Sequence, residues 1–231
     1  MTPGILAIDI GGTGIKASVL DNEGSMLTEG VRVDTPVGAE PMAYVKLIAD
    51  IAGGLPAFDR IAVGFPGVVR DGAVRTAPTL GNEGWQGFPL TDALADALGK
   101  PCRLGNDADV QGFAVIKGNG IEMVVTLGTG FGSAVYQDGR LTLHLELAHH
   151  EFREGQTYNE QIGEAARAGI GNEAWRRRVH QMIANMRTLV MFDRLYIGGG
   201  NARHLEDGLP DDVECVDNRA GILGGAWLWK D

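Results

Sequence analysis

Apolar residues along this chain come in short runs that end on glycine. ILAIDI (5–10) is apolar except for Asp9, and GGTG (11–14) closes it. IKASVL (15–20) resumes as a second run, and DNEG (21–24) turns the chain. Short runs bounded by Gly, Asn and Asp predict β-strands joined by tight turns. SMLTEGVRVDT (25–35) predicts a third strand, so the N-terminus reads as a meander. The same order returns later: IEMVVTL as strand, GTGFG (128–132) as glycine turn, SAVY as strand, QDG (137–139) as turn. A recurring order of strand, glycine turn, strand and Asx-Gly turn predicts two related lobes with a cleft between them.

Elsewhere helical and strand patterns alternate. Residues 39–52, 90–99, 106–118 and 173–192 read as helices, and Gly99 is placed to end the second of them. In the last, Trp175, Val179, Met182, Ile183, Met186, Leu189 and Val190 follow the helical period. RIAVGF (60–65) and PCRLG (101–105) read as strands, and RLYIGGG (194–200) as strand plus glycine turn. AGILGGAWLW (220–229) reads as a terminal helix with a small-residue face. The class is α/β. The expected division is residues 1–105 and 106–231, with the terminal helix, about 219–229, packing back on the first lobe.

Composition narrows the function. The chain has 231 residues, of which 35 are glycine and 9 proline, with 44% hydrophobic residues. That much apolar residue, without a Gly-X-Y period, excludes collagen and a disordered linker. A net charge of −10 argues against nucleic acid as a partner. No apolar run is long enough to span a membrane, and no signal peptide opens the chain, so a cytoplasmic protein is expected. Cys102 and Cys215 are isolated, which gives neither a disulfide framework nor a cysteine-rich metal site.

The candidate chemistry sits at the glycine turns. GGTG does not have dinucleotide-fingerprint spacing, and a strand follows it; no Walker loop occurs. The turn is either a plain hairpin turn or bare backbone that approaches a phosphate. Asp9 just before it suits Mg²⁺, held directly or through water near phosphate oxygens. Lys16 either reaches the same phosphates or stands as an exposed strand lysine. LGTGFG adds Thr129 and further N–H groups. GGG (198–200) follows a strand and precedes a predicted helix at 201–207, whose N-terminus favours an anion or nucleotide. Asn106 and Asp107 lie at a strand-to-helix junction, where either residue type caps a helix. Trp175-Arg176-Arg177-Arg178 reads as a solvated helix face or as a polyanion contact.

Six segments occur in an order that resembles the ROK sugar kinases, within the actin-like ATPase superfamily. They are DIGGTGIKASVLD (9–21), GFPGVV (64–69), LGNDADVQG (104–112), TLGTGFGSAV (126–135), ELAHHEF (146–152) and LYIGGGN (195–201). The chain is most similar to the glucokinase and polyphosphate-glucokinase branch. The resemblance implies a two-lobed actin-like (ribonuclease H-like) fold with a central cleft. It implies Asp9, Gly11, Gly12, Thr13 and Lys16 in a first phosphate loop, and Thr129 and Gly130 in a second. Gly198, Gly199 and Gly200 match the nucleotide-side turn. Asn106 and Asp107 match the Asn-Asp pair whose aspartate is the catalytic base. Glu146 and His149 match a sugar-binding E-x-G-H motif, here ELAH with Ala148 in the glycine position, and Glu160 matches a further sugar-binding glutamate.

The implied activity is transfer of a phosphoryl group from ATP or polyphosphate, with Mg²⁺, to a hexose, most simply the 6-OH of glucose. The alternatives are a kinase for another hexose or amino sugar, or a silent sugar sensor of the same fold. The family's cysteine cluster is missing after ELAH, so no zinc is expected. The phosphate motif begins too early for a preceding helix-turn-helix domain. A homodimer is the family expectation.

Overall fold

The computed structural model describes residues 4–81, 83–205, 208–216 and 220–230. Contacts divide the chain into two units, residues 1–114 with 221–231, and residues 115–220. The expected 105/106 boundary lies earlier, within the strand Cys102–Asn106 of the first unit.

The first unit opens with β1 (Ile5–Ile10), β2 (Gly14–Leu20) and β3 (Val31–Asp34). α1 (Pro41–Ala52) leads to β4 (Arg60–Phe65), then to a small hairpin of β5 (Val69–Arg70) and β6 (Ala73–Val74). α2 (Leu90–Leu98), β7 (Cys102–Asn106) and α3 (Asp107–Phe113) follow. The sheet order is β3-β2-β1-β4-β7. The first three strands are antiparallel, and β1, β4 and β7 are parallel. One face buries Leu6, Ile8, Val63 and Phe65 against Tyr44, Ile48 and Leu94 of the helices.

The second unit repeats that plan. It contains β8 (Ile121–Leu127), β9 (Phe131–Gln137), β10 (Arg140–Leu141), and a small hairpin of β11 (Glu151–Arg153) and β12 (Gln156–Thr157). Three helices follow: α4 (Tyr158–Ile162), α5 (Glu164–Ile170) and α6 (Asn172–Val190). β13 (Arg194–Gly198) and β14 (Val213–Cys215) complete the sheet, in the order β10-β9-β8-β13-β14. Its pairings run antiparallel, antiparallel, parallel, parallel, as in the first unit. α6 buries Trp175, Val179, Met182, Ile183 and Met186. Six of its seven predicted apolar positions therefore face this core, Val190 only partly buried, while Leu189 is exposed.

The chain then returns to the first unit. α7 (Ala220–Leu223) runs into a 3-10 segment, Gly224–Trp229. Ile222 and Ala226 pack on Ile5, Ala7, Leu20 and Ala62, the other face of the first sheet. The predicted start of this helix, residue 219, lies outside the described residues. The rest differs from one regular helix because the second half tightens to 3-10 geometry as it presses on the sheet.

Two predicted elements are shorter than expected. The strand predicted over 25–35 survives only as β3. Residues 21–25 form an Asx turn in which the Asp21 carboxylate accepts from Glu23 N and Ser25 N. The helix predicted over 106–118 stops at Phe113. Beyond it, Lys117, Gly118 and Asn119 donate their N–H groups to the Glu122 carboxylate at 2.7, 2.6 and 3.1 Å, which removes them from any helical ladder. Glu122 is 1% exposed and also accepts from the Tyr196 hydroxyl at 2.9 Å. Burial pushes its pKa up, but these bonds together hold it below the usual carboxylate range. Burial and Glu122 both raise the Tyr196 pKa, so that hydroxyl keeps its proton and donates. Among the described residues, no helix is long and apolar enough to cross a membrane.

Candidate functional site

In the first unit the β1–β2 register sets Asp9 opposite Lys16. Their side chains meet at 3.3 Å, with the Asp9 side chain 17% exposed. The GGTG turn closes through Gly11 N donating to Gly14 O at 2.9 Å. Two side chains from the β3 region brace it. Thr35 Oγ1 donates to Gly11 O at 2.6 Å, and Arg32 donates to Thr13 O at 3.1 Å. The carbonyls of Gly11, Thr13 and Gly14 are thus engaged, while the N–H groups of Gly12 and Thr13 meet no acceptor among the described residues. That is the polarity a phosphate oxygen requires. Thr35 and Arg32 escaped the sequence reading because nothing local marks a contact made across some twenty residues of chain.

At the β7–α3 junction the two capping candidates separate. Asn106 is the cap: its Oδ1 accepts from Ala108 N at 2.9 Å and Asp109 N at 3.4 Å. Its Nδ2 donates to Gly67 O at 3.1 Å, and the residue is 7% exposed. These bonds fix the first turn of α3. Asp107 is the first helical residue and stands half-buried, its Oδ1 accepting from Ala108 N at 2.8 Å.

In the second unit the two remaining glycine turns are tied together. Gly128 N donates to Gly130 O at 3.0 Å, and Phe131 N to Asn159 Oδ1 at 2.9 Å. Asn201, just after GGG, donates its backbone N–H to Leu127 O at 2.9 Å and its amide to Gly128 O at 3.2 Å. Glu164 N also donates to Gly128 O, at 3.0 Å. The Arg167 guanidinium, gripping the Glu164 carboxylate at two points, holds that carboxyl below its ordinary pKa. Thr129 is exposed at the tip between these anchors. Asn159, Glu164 and Asn201 are the residues the sequence reading missed; only the turns they brace were legible. The helix predicted over 201–207 is a 3-10 turn, Ala202–His204, and residues 206–207 lie outside the described residues.

Gly199 makes this junction possible. Its φ is +85°, and a Cβ there would collide with the backbone of Leu127. Both the left-handed conformation and the close approach require glycine. If this junction holds a phosphoryl donor, as the resemblance implies, Gly199→Ala is expected to separate the two turns and raise the donor KM about ten-fold, with less effect on the sugar KM. Steady-state kinetics with each substrate varied checks this; equal changes in both constants contradict it.

Glu146 precedes the 3-10 turn Leu147–His149 but makes no cap bond with its side chain. Its Oε1 lies 2.9 Å from His144 Nε2, and its Oε2 lies 3.7 Å from His149 Nε2. Ala148, in the motif's glycine position, is buried in the core of this unit. The neighbouring His150 bonds its own strand through Nδ1 to Glu151 O at 2.9 Å. Glu160 closes a capping box on α4: its Oε2 accepts from both Thr157 N and Thr157 Oγ1 at 2.8 Å. Those bonds lower its pKa. In the arginine run, Arg177 pairs with Glu173 on an exposed surface, and Arg178 donates to Gln161 O at 3.2 Å. The Arg177 pair is the behaviour of a solvated helix face, while the Arg178 bond reaches the neighbouring α4.

The chain is similar to known proteins along most of its length. A family profile described as ROK family matches residues 5–150. The chain is 31% identical over 240 residues to a polyphosphate glucokinase from Mycobacterium tuberculosis strain H37Rv, spanning 95% of this chain and 88% of that one. Among solved structures it is similar to an inorganic polyphosphate/ATP-glucomannokinase from Arthrobacter sp. strain KM. The TM-score is 0.86 at 29% identity, over 97% of both chains. A ROK family glucokinase from Streptomyces griseus, solved with glucose and AMPPNP, shares the fold with a TM-score of 0.73 at 22% identity, over 97% of this chain and 98% of that one. The repeated sheet and these likenesses make the fold the actin-like ATPase fold that the motifs implied.

Proposed function

The chain belongs to the ROK family, and from that premise we propose that it is a hexose kinase that phosphorylates glucose from ATP or polyphosphate. The observation that carries the reading is the likeness to a polyphosphate glucokinase along 95% of the chain. The arrangement of the glycine turns supports it.

Phosphoryl transfer asks a protein mainly to position groups and offset charge. In the second unit the braced turns at Thr129–Gly130 and Gly198–Gly200 offer backbone to the donor's phosphates, and in the first the backbone N–H groups of Gly12 and Thr13 do. Lys16 adds a positive charge beside them. Asp107 accepts the proton of the attacking sugar hydroxyl, which we take to be the 6-OH. Asn106, through its cap bonds, holds the helix turn from which Asp107 projects, and it contributes to sugar binding beside that base. In the second unit Glu146 and His149 bind sugar hydroxyls. Glu160 keeps Oε1 outside its capping bonds, and that oxygen is its part in sugar binding.

The family implies Mg²⁺, and Asp9 fits it. A Cβ on Gly221 would stand 2.8 Å from Asp9 Oδ2, so the returning segment leaves this carboxylate room that a side chain would fill. A hard oxygen donor beside a phosphate-binding turn suits Mg²⁺ held directly or through water. When bound, the ion offsets charge on the transferring phosphoryl group. The reading also carries a cytoplasmic homodimer, which sedimentation of the purified protein tests.

The experiment is a matrix. Glucose, mannose, fructose and amino sugars are each offered with ATP or polyphosphate plus Mg²⁺, and sugar phosphate is measured. Glucose is expected to give the largest kcat/KM. A matrix with no transfer above background overturns the reading.

A further inference from the structure

We infer that His144 is a positioning residue for the sugar site: its Nε2 bond to Glu146 Oε1 aims that carboxylate so that Oε2 meets the substrate. The inference rests on the kinase reading, in which Glu146 binds a sugar hydroxyl. His144 belongs to none of the motifs that carried the resemblance.

Glu146 leaves a capping role unused. It stands where a helix-capping side chain would, yet makes no cap bond. The contacts of its carboxylate are imidazoles, His144 at 2.9 Å and His149 at 3.7 Å. The first distance is a hydrogen bond and the second is too long for one. A single hydroxyl fits that difference. It can donate to Oε2 and accept from His149 Nε2–H, joining two groups that do not bond each other. For this to work, Oε1 must be occupied and the side chain held in one rotamer.

His144 supplies both conditions. With Nε2–H donating to a carboxylate, its tautomer is set. Its side chain and that of Glu146 are each partly shielded, at 23% and 32% exposure, so the bond is only partly open to competing water. The backbone on either side is anchored. Thr142 N donates to Val135 O at 2.9 Å, Leu147 N to Leu145 O at 2.9 Å, and Ser133 Oγ to Leu145 O at 3.3 Å. A flexible carboxylate fixed before the ligand arrives avoids the ordering cost that binding would otherwise carry.

A hydrogen bond to a charged group contributes enough that its loss lowers affinity about ten-fold to a hundred-fold. The test compares wild type, His144→Leu, His144→Gln and Glu146→Gln, with glucose and donor each varied and melting temperature recorded. His144→Leu is expected to raise the glucose KM about ten-fold or more, leaving the donor KM and melting temperature near wild type. His144→Gln, whose amide N–H reaches a similar point, is expected to recover most of the loss. A Glu146→Gln variant that loses glucose affinity beside a His144→Leu variant that keeps it overturns the inference alone. A His144→Leu variant that melts early and raises both KM values equally makes the role structural and also overturns it. Wild type that phosphorylates no hexose removes the kinase reading, and the inference with it.

Discussion

Asp107→Asn is expected to lower kcat for sugar phosphorylation by about 10²–10⁴-fold while leaving the glucose KM within a few-fold of wild type. The substitution replaces a proton acceptor with a near-isosteric amide. The fold should not suffer, because the cap of α3 is made by the neighbouring Asn106, through Ala108 N and Asp109 N. Asn106→Ala, by contrast, is expected to lose both the cap and the Gly67 bond, and so to lower melting temperature and activity together. The pair of variants separates chemistry from architecture at adjacent positions. Single-turnover kinetics and thermal melting of both variants check it. An Asp107→Asn enzyme with wild-type kcat sinks the assignment of the base.

The second large effect lies away from the glycine turns. Glu122→Ala is expected to cost about 3–5 kcal/mol of stability, because it strips acceptors from the N–H groups of Lys117, Gly118 and Asn119 and from the buried Tyr196 hydroxyl. In a chain of this size that corresponds to a melting temperature lower by on the order of 10 °C. Glu122 also makes the stability depend on pH, in a direction that follows from its environment. Its folded pKa lies below its unfolded one, so its contribution is complete above the ordinary carboxylate range. It is lost as pH falls through the lowered folded value. The gap in melting temperature between wild type and Glu122→Gln should therefore be widest near neutral pH and shrink between about pH 5 and pH 2. A gap that stays constant over that range contradicts the assignment of the charge.

What the sequence made legible was periodic or local. Short apolar runs ended by glycine located β1, β2 and β4, and the helical period located α6 within two residues at each end. The recurring order of strand and glycine turn announced the duplicated sheet. The parallel pairing of β8 with β13 left no such trace, since it joins segments far apart in the chain. The same limit governed the site. The turn residues Gly11, Gly130 and Gly199 were visible as glycines, but Thr35, Asn159 and Asn201, which hold them, were not. Composition allowed Asn106 and Asp107 equal claims as caps, and only backbone geometry separated them. α3 ends at Phe113 because a carboxylate further along takes the N–H groups that continuation would need. His144 gave no signal, because a bond between side chains two positions apart depends on where each one points.

The central claim is that this chain moves a phosphoryl group onto glucose. Its most direct test is ³¹P NMR of the purified protein with glucose, Mg²⁺ and either ATP or polyphosphate. A growing glucose 6-phosphate resonance is expected with at least one donor, absent when Asp107→Asn replaces the wild type over the same interval. Donor consumed without any sugar phosphate, or no consumption of either donor, would contradict it.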